Sequence, residues 1–213
     1  MRHNKINEIY HCLYDSFGPQ DWWPGDTPFE VIIGAVLTQN TNWNNVEKAI
    51  DNLKRAGFLS YEKICSLPAA LLAEYIRPAG YYNIKAGRLH NLFAMIREQF
   101  NDSIEMLLAA ETEELRRALL SVKGIGQETA DSILLYAADR PVFVVDAYTY
   151  RILLRHDLIP EEYGYEDIQE YFMDNLEPDT KLYNEFHALI VCTGKKFCKK
   201  SNPQCSECPL EGV

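Results

Sequence analysis

Three groups of residues in this sequence have the types and spacings that chemistry needs. The first is Gly124-Ile125-Gly126, followed by an apolar run, Val142-Phe143-Val144-Val145, that ends on Asp146. Two glycines permit backbone angles that other residues resist, and they leave nothing to block close approach of a ligand. With one helix before them and another after, their N–H groups and the positive helix end would converge on one point. That is an anion site, and phosphate is the obvious anion. A single carboxylate follows close behind it. The second group is Cys198, Cys205 and Cys208, spaced x6 and x2. Clustered thiols in a cytosolic chain suggest metal rather than disulfide; zinc is one option and an iron–sulfur cluster, which normally wants four cysteines, the other. The third is Trp22-Trp23-Pro24 in a Pro/Gly loop, with Trp43 further on. Adjacent tryptophans cannot both face a core by helical spacing, so they read as an aromatic wall for a flat, electron-poor ligand. A cationic ring would gain about 0.5–2 kcal/mol there through cation–π contact.

Each group also has a plainer reading. Gly-x-Gly between helices is often only a tight turn, Asp146 before a helix is an N-cap worth about 1 kcal/mol, and a tryptophan loop can seal a core with one ring.

The elements that must position these residues are helical. Ile6, Ile9, Tyr10, Leu13 and Phe17 share one face of a helix over 4–17. Phe29 to Leu37 is an apolar helix that breaks at Thr38-Gln-Asn-Thr-Asn-Trp43 before a further helix through Leu53. Pro78 and Gly80 end another, leaving Tyr81 at a loop tip, and a helix over 83–100 faces Leu89, Leu92, Phe93, Ile96 and Phe100 inward. A short helix near 103–109 leads to the hairpin. There, Leu115, Leu119 and Leu120 form the apolar face before the glycines, Ile133, Leu134 and Ala137 the one after, and Ile125 plugs the gap. Helices over 147–156, 166–176 and 180–193 follow Asp146. Cys12 and Cys65 stand alone and read as core. No strand ladder is evident, so the fold class is all-α.

At 213 residues the chain can bury one sizeable core or two small lobes. A net charge of −10 speaks against nucleic acid as partner, but the charge is uneven. Residues 157 to 179 carry nine carboxylates and no Lys or Arg, so the rest of the chain is close to neutral. Positive charge gathers at Lys85 and Arg88, and at Lys195, Lys196, Lys199 and Lys200. A chain with one acidic and one basic face can bind DNA, more weakly as salt rises. The N-terminus has no apolar signal core and no run reaches membrane length, which predicts a cytosolic protein, nucleoid-associated in a prokaryote.

Taken together, Val122-Lys-Gly-Ile-Gly126, Thr129-Ala130 and Val144-Val-Asp146 resemble the helix-hairpin-helix plus Gly-Pro-Asp element of the DNA glycosylase superfamily typified by endonuclease III. Leu37-Thr-Gln-Asn-Thr41 and Gly80-Tyr-Tyr-Asn-Ile-Lys-Ala86 fall in register with the same family, and Trp22-Trp23-Pro24 resembles the pocket of its 3-methyladenine branch. The resemblance implies two α-lobes: a six-helix domain over 27–140, and a second formed by 1–26 with 141–213, as a monomer on double-stranded DNA containing damaged bases. It implies that Asp146 is catalytic, that Trp22, Trp23, Pro24 and Trp43 receive a flipped base, and that Gln39 enters the helix beside it. Tyr81 would wedge into the stack, with Lys85, Arg88, Lys123, Gly124 and Gly126 on phosphates. A monovalent cation at the hairpin and a [4Fe–4S] cluster on Cys198, Cys205 and Cys208 are implied as well. The family's fourth cysteine would fall at position 214. Three options stay open: a further cysteine beyond this chain, Cys192, or no cluster. Bifunctional relatives carry a Schiff-base lysine where Glu128 stands, so the expected activity is hydrolysis without strand cleavage. Alkylated purines such as 3-methyladenine are the expected substrates. The alternatives are mismatched thymine or uracil, oxidised pyrimidines, or a non-catalytic DNA-binding or redox protein. Leu189 stands where some relatives place a pocket lysine, and His187, which could reach the site, reads as a satisfied core histidine.

Overall fold

The computed structural model describes residues 5–22 and 25–213, and every regular element among them is helical. The chain divides into two compact units, residues 23–140 and residues 1–22 with 141–213.

The first unit holds α2 (Pro28–Leu37), α3 (Trp43–Arg55), α4 (Tyr61–Ser66), α5 (Ala69–Tyr75), α6 (Tyr82–Gln99), α7 (Ile104–Ala109), α8 (Thr112–Ser121) and α9 (Gln127–Tyr136), with a 3₁₀ turn at Arg77–Ala79. That is eight helices where the sequence suggested six. Helices α4 and α5 span six and seven residues, too short for a 3.6-residue period to declare itself. Helix α2 is the hub. Its N-terminus is set by Pro28 in the first turn and by Thr27, whose hydroxyl accepts the Glu30 N–H at 3.2 Å. Val31, Ile32, Ile33, Val36 and Leu37 are all buried, and the helix packs on α3, α6 and α9. Helices α8 and α9 pack on each other. Their buried faces are Leu115, Ala118 and Leu119 on one side and Ile133, Leu134 and Leu135 on the other, with Leu120 only half-buried. Between them lies an ion pair that periodicity did not disclose. Arg116 of α8 grips the fully buried Asp131 of α9 with two bonds, Nε to Oδ1 at 2.8 Å and Nη2 to Oδ2 at 3.2 Å.

The second unit holds α1 (Lys5–Phe17), α10 (Ala147–Arg155), α11 (Tyr165–Met173) and α12 (Thr180–Lys196), and ends in a 3₁₀ turn at Cys205–Glu207. Helix α12 packs on both α1 and α10. The apolar run before Asp146 is buried as an extended segment. Phe143 stacks on Phe172 at 3.9 Å between ring centroids and meets Tyr183 and Phe186 edge-on. Its backbone carbonyl accepts Gln169 Nε2 at 2.6 Å, which replaces the strand partner it lacks. Among the described residues, no helix is long and apolar enough to cross a membrane.

Candidate functional site

In the first unit the hairpin is built as the glycines demand, but they serve differently. Gly124 has φ +99, and a Cβ there would come within 2.6 Å of Arg88 Cγ, so it must be glycine on both counts. Gly126 is extended (φ −102, ψ 178), a conformation open to any residue, and nothing lies within 4 Å of where its Cβ would be. The expectation that both glycines serve backbone angle is corrected. As the N-cap of α9, Gly126 brings no side chain over the start of that helix. Ile125 is buried as the plug, and the Lys123 side chain is exposed. The hairpin carbonyls are already engaged: Val122 by Ile125 N at 3.0 Å, Lys123 by Asn91 Nδ2 at 3.0 Å and Gly124 by Gln39 Nε2 at 3.0 Å. A monovalent cation there would have to share them.

Gln39 does not project freely. Its amide nitrogen also donates to Thr129 Oγ1 at 2.9 Å, and its Oε1 accepts from Arg88. Arg88 is half-buried and held against Gln39 beside the hairpin. Lys85 overturns its expected role outright. It is 1% exposed, and its Nζ donates to Leu37 O at 2.8 Å and Ala79 O at 2.6 Å. The reason is its place on α6. Lys85 lies four residues before Leu89 on the apolar stripe, so its ammonium closes the C-terminal carbonyls of α2 and of the 3₁₀ turn. Burial, with Arg88 nearby, pulls its pKa down to about 8. The unfolded side chain keeps its proton to about 10.4, so between these values stability rises with pH on this group's account. Lys85→Met should lower unfolding stability by about 1–3 kcal/mol by stranding buried carbonyls. It should leave the salt dependence of DNA binding unchanged; a slope of log K on log salt shallower by about 1 would reinstate a phosphate contact.

Tyr81 is 66% exposed and sits in the left-handed region (φ 46, ψ 30) at the start of α6. A non-glycine residue held there stores about 1–3 kcal/mol of strain, a mark of functional positions. Trp43 begins α3 with its ring edge against Gly34, where a Cβ would meet Cη2 at 3.3 Å, and is half-buried.

In the second unit the chemistry gathers around Asp146. Its Oδ1 accepts Tyr148 N at 2.9 Å, Thr149 N at 2.8 Å and Thr149 Oγ1 at 2.9 Å, a full capping box for α10. Its Oδ2 has another neighbour, His187 Nε2 at 3.6 Å, an ion-pair distance too long for a hydrogen bond. The cap therefore uses one oxygen of the carboxylate and leaves the other facing His187. Burial pushes the Asp146 carboxyl up, but the His187 ring, the Thr149 N–H and the Thr149 hydroxyl together outweigh it and hold the pKa below the usual carboxylate value. His187 is 6% exposed, as a core residue would be, yet it faces this carboxylate on one side and Trp22 on the other, with ring centroids 6.1 Å apart. The sequence reading undervalued it because its neighbours on α12, Phe186 to Ile190, are uniformly apolar. Leu189 is fully buried. Trp23 and Pro24 lie outside the described residues.

Two features frame this cluster. Tyr148 lies flat on Gly194 of α12, where a Cβ would fall 2.2 Å from its Cδ1. The Arg151 guanidinium lies over that ring at 4.9 Å from its centroid. Beside them, Lys195, Lys199 and Lys200 line a groove that reaches Ala147, the residue after Asp146. Lys196, expected with them, instead packs on Phe17 at 4.9 Å. At the C-terminus, Arg155 Nη1 donates to Cys198 Sγ at 3.3 Å. Burial raises the Cys208 thiol, and so do the neighbouring Cys198, Cys205 and Cys12. Among the described residues, no group of three His, Cys, Asp or Glu side chains could hold a metal ion.

Residues 33–178 match the model of the HhH-GPD superfamily base excision DNA repair proteins. This chain belongs to that superfamily. Membership makes the HhH-GPD chain a DNA repair glycosylase that acts on DNA. It is 49% identical over 215 residues, 99% of this chain and 97% of the other, to a Methanocaldococcus jannaschii protein named "Putative DNA repair glycosylase". It is similar to the 3-methyladenine DNA glycosylase MagIII of H. pylori, solved with 1,N6-ethenoadenine (TM-score 0.77, 34% identity, 90% of this chain and 97% of that one). It shares its fold with endonuclease III in a non-covalent DNA complex (TM-score 0.82, 22% identity, 98% and 94% covered).

Proposed function

We propose that this HhH-GPD chain is a monofunctional glycosylase that hydrolyses the N-glycosidic bond of an alkylated purine, such as 3-methyladenine, flipped out of duplex DNA. The observation that carries this reading is the grouping of Asp146, His187 and Trp22: an ionised carboxylate oxygen left over from helix capping, beside an imidazole and an indole face. A 3-alkylated purine nucleotide is cationic, suits an indole face, and departs as a neutral base. The C1′–N bond breaks with its electron pair going to the base. Asp146 stabilises the oxocarbenium-like sugar, water adds to C1′, and one proton leaves that water. A carboxylate held below its ordinary pKa is a weak base, so its contribution is chiefly electrostatic. The likeness to MagIII supports the substrate class. Glu128, exposed on the first turn of α9, cannot form a Schiff base.

In the same reading, Gly126 and the first N–H groups of α9 hold one phosphate. Lys123 lies beside it, Tyr81 is the wedge, and Lys195, Lys199 and Lys200 take the backbone near Asp146. Cys198, Cys205 and Cys208 hold a [4Fe–4S] cluster. Their fit rests on the chemistry of the donor set: three thiols on one short tail, spaced x6 and x2. When bound, such a cluster would supply a cross-link within the tail beside the basic groove.

The test is base release from a lesion panel. Free 3-methyladenine from methylated duplex is expected, with no strand cleavage and no borohydride-trapped adduct. Release confined to thymine or uracil opposite guanine would overturn the substrate. A trapped adduct would overturn monofunctional hydrolysis, and binding without release of any base would leave a DNA-binding module.

A further inference from the structure

Of the large apolar side chains among the described residues, the two most exposed are Tyr81, at 66%, and Ile84, at 55%. Both stand at the start of α6. The Tyr81 carbonyl accepts the Lys85 N–H at 3.0 Å, so Tyr81 opens the hydrogen-bond ladder of the helix and Ile84 lies on its first turn. Lys85 and Ala86, the next two residues, face inward and are buried, which leaves Ile84 on the outer side. Continuing from Ile84 by steps of four and three residues, the same stripe of α6 carries Arg88 and Asn91. These two lie against the hairpin. A Cβ on Gly124 would fall 2.6 Å from Arg88 Cγ, and Asn91 Nδ2 donates to Lys123 O at 3.0 Å. One stripe of α6 therefore runs from the glycine hairpin to an exposed apolar tip. Residues 75–97 contain Arg77, Lys85, Arg88 and Arg97 and no Asp or Glu, in a chain that has 31 of them. Arg77 is exposed, and its guanidinium lies over the Tyr82 ring at 5.7 Å from the centroid, beside the tip.

We propose that Ile84 is a second apolar contact to duplex DNA, seated against the sugars and base edges next to the step that Tyr81 opens. Ile84 has this role only if Tyr81 is the wedge, as proposed above. A single exposed isoleucine is ordinary on a protein surface. This one continues a stripe that ends at the helix-hairpin-helix of a DNA-acting chain, and it stands one turn from a residue held in the left-handed region. It also lies in a stretch free of carboxylates with an arginine at its side, which suits a polyanion. Parting a base step exposes apolar edges to water, and inserted apolar side chains offset part of that cost. An aromatic ring covers the face of a base and leaves its sugar edge wet. A β-branched side chain on a helix is stiff at χ1, so it fills that edge with little loss of rotamer freedom.

The test is equilibrium binding to a duplex carrying a tetrahydrofuran abasic analogue, which has no base to release and so does not depend on the lesion preference. Ile84→Ser is expected to weaken binding about tenfold, the effect of withdrawing roughly half of an isoleucine side chain from a dry contact. Ile84→Met, which stays apolar, should bind within about twofold of wild type. The slope of log K on log salt should be the same in all three, because no phosphate contact is removed. The unfolding midpoint of Ile84→Ser should match wild type, since the side chain supports no core. Wild-type affinity in Ile84→Ser, or an equal loss in Ile84→Met, overturns the Ile84 assignment alone. Wild-type affinity in Tyr81→Ser overturns the wedge reading and this proposal with it, whatever base the enzyme releases. A wild-type dimer in sedimentation that Ile84→Ser dissolves gives the patch to a second copy of the chain and overturns the proposal as well.

Discussion

Asp146→Asn is expected to reduce base release by about 10²–10³-fold, the range for removing one preorganised electrostatic stabiliser, while the protein stays folded. The asparagine Oδ1 can accept the same Tyr148, Thr149 N–H and Thr149 hydroxyl bonds, so α10 keeps its cap. What is lost is the charge on the second oxygen. Asp146→Ala should add a stability loss of about 0.5–2 kcal/mol, because there the cap goes too. Single-turnover base release and thermal unfolding of the two variants separate the effects. Equal destabilisation by both would mean that the carboxylate serves only the fold.

The pH dependence has a defined sign. The folded pKa of Asp146 lies below that of the unfolded chain, about 3.9. Its stabilising contribution is therefore complete above pH 3.9 and is lost as pH falls through the lower folded value. Activity should show no acid limb from this group at neutral pH. In His187→Ala, burial acts without the compensating imidazole, and the acid limb of kcat/KM should move upward. A profile unchanged by that substitution would remove His187 as a positioning residue.

The largest stability loss is expected from Asp131→Ala. The carboxylate is fully buried and Arg116 is 19% exposed at its side chain. Removing the acid takes the paired carboxylate away from a part-buried guanidinium between α8 and α9, at a cost of about 3–5 kcal/mol. Since those helices carry the hairpin, DNA affinity should fall along with the denaturant midpoint. Replacing both partners with apolar residues of similar volume should recover much of the loss. A midpoint within about 0.5 kcal/mol of wild type in Asp131→Ala would mean that the pair contributes nothing.

Local signals were the ones legible in sequence. The turn at Gly124, the plug Ile125, the cap and carboxylate at Asp146, and the exposed Tyr81 all depend on neighbours within a few residues. The all-helical class followed from periodicity, which failed only where α4 and α5 are too short to repeat. Partners distant along the chain were hidden. Lys85 read as a surface cation because lysines usually are, though its place four residues before Leu89 was a signal that it faces inward. Asp131 sits among Leu134 and Leu135 on α9, and nothing local names Arg116 as the reason a carboxylate can be there. His187 looked like core because its neighbours along α12 are apolar, and it is indeed buried. Cys12, whose Sγ donates to the Pro209 carbonyl at 3.0 Å, could not be joined to the tail by any spacing rule, since only the packing of α1 on α12 brings them together.

The ring of Tyr148 lying on Gly194 acts as a gauge block. Helix α10 carries Asp146 at its start, α12 carries His187, and the two helices approach to one aromatic thickness because residue 194 contributes nothing to the gap. The 3.6 Å between carboxylate and imidazole thus depends on residue 194, well along α12 from His187, and on the ring of Tyr148, which meets the carboxylate only through its backbone N–H. A methyl group at 194 would widen the gap and detune the charge on Asp146 from a full helical turn and more away.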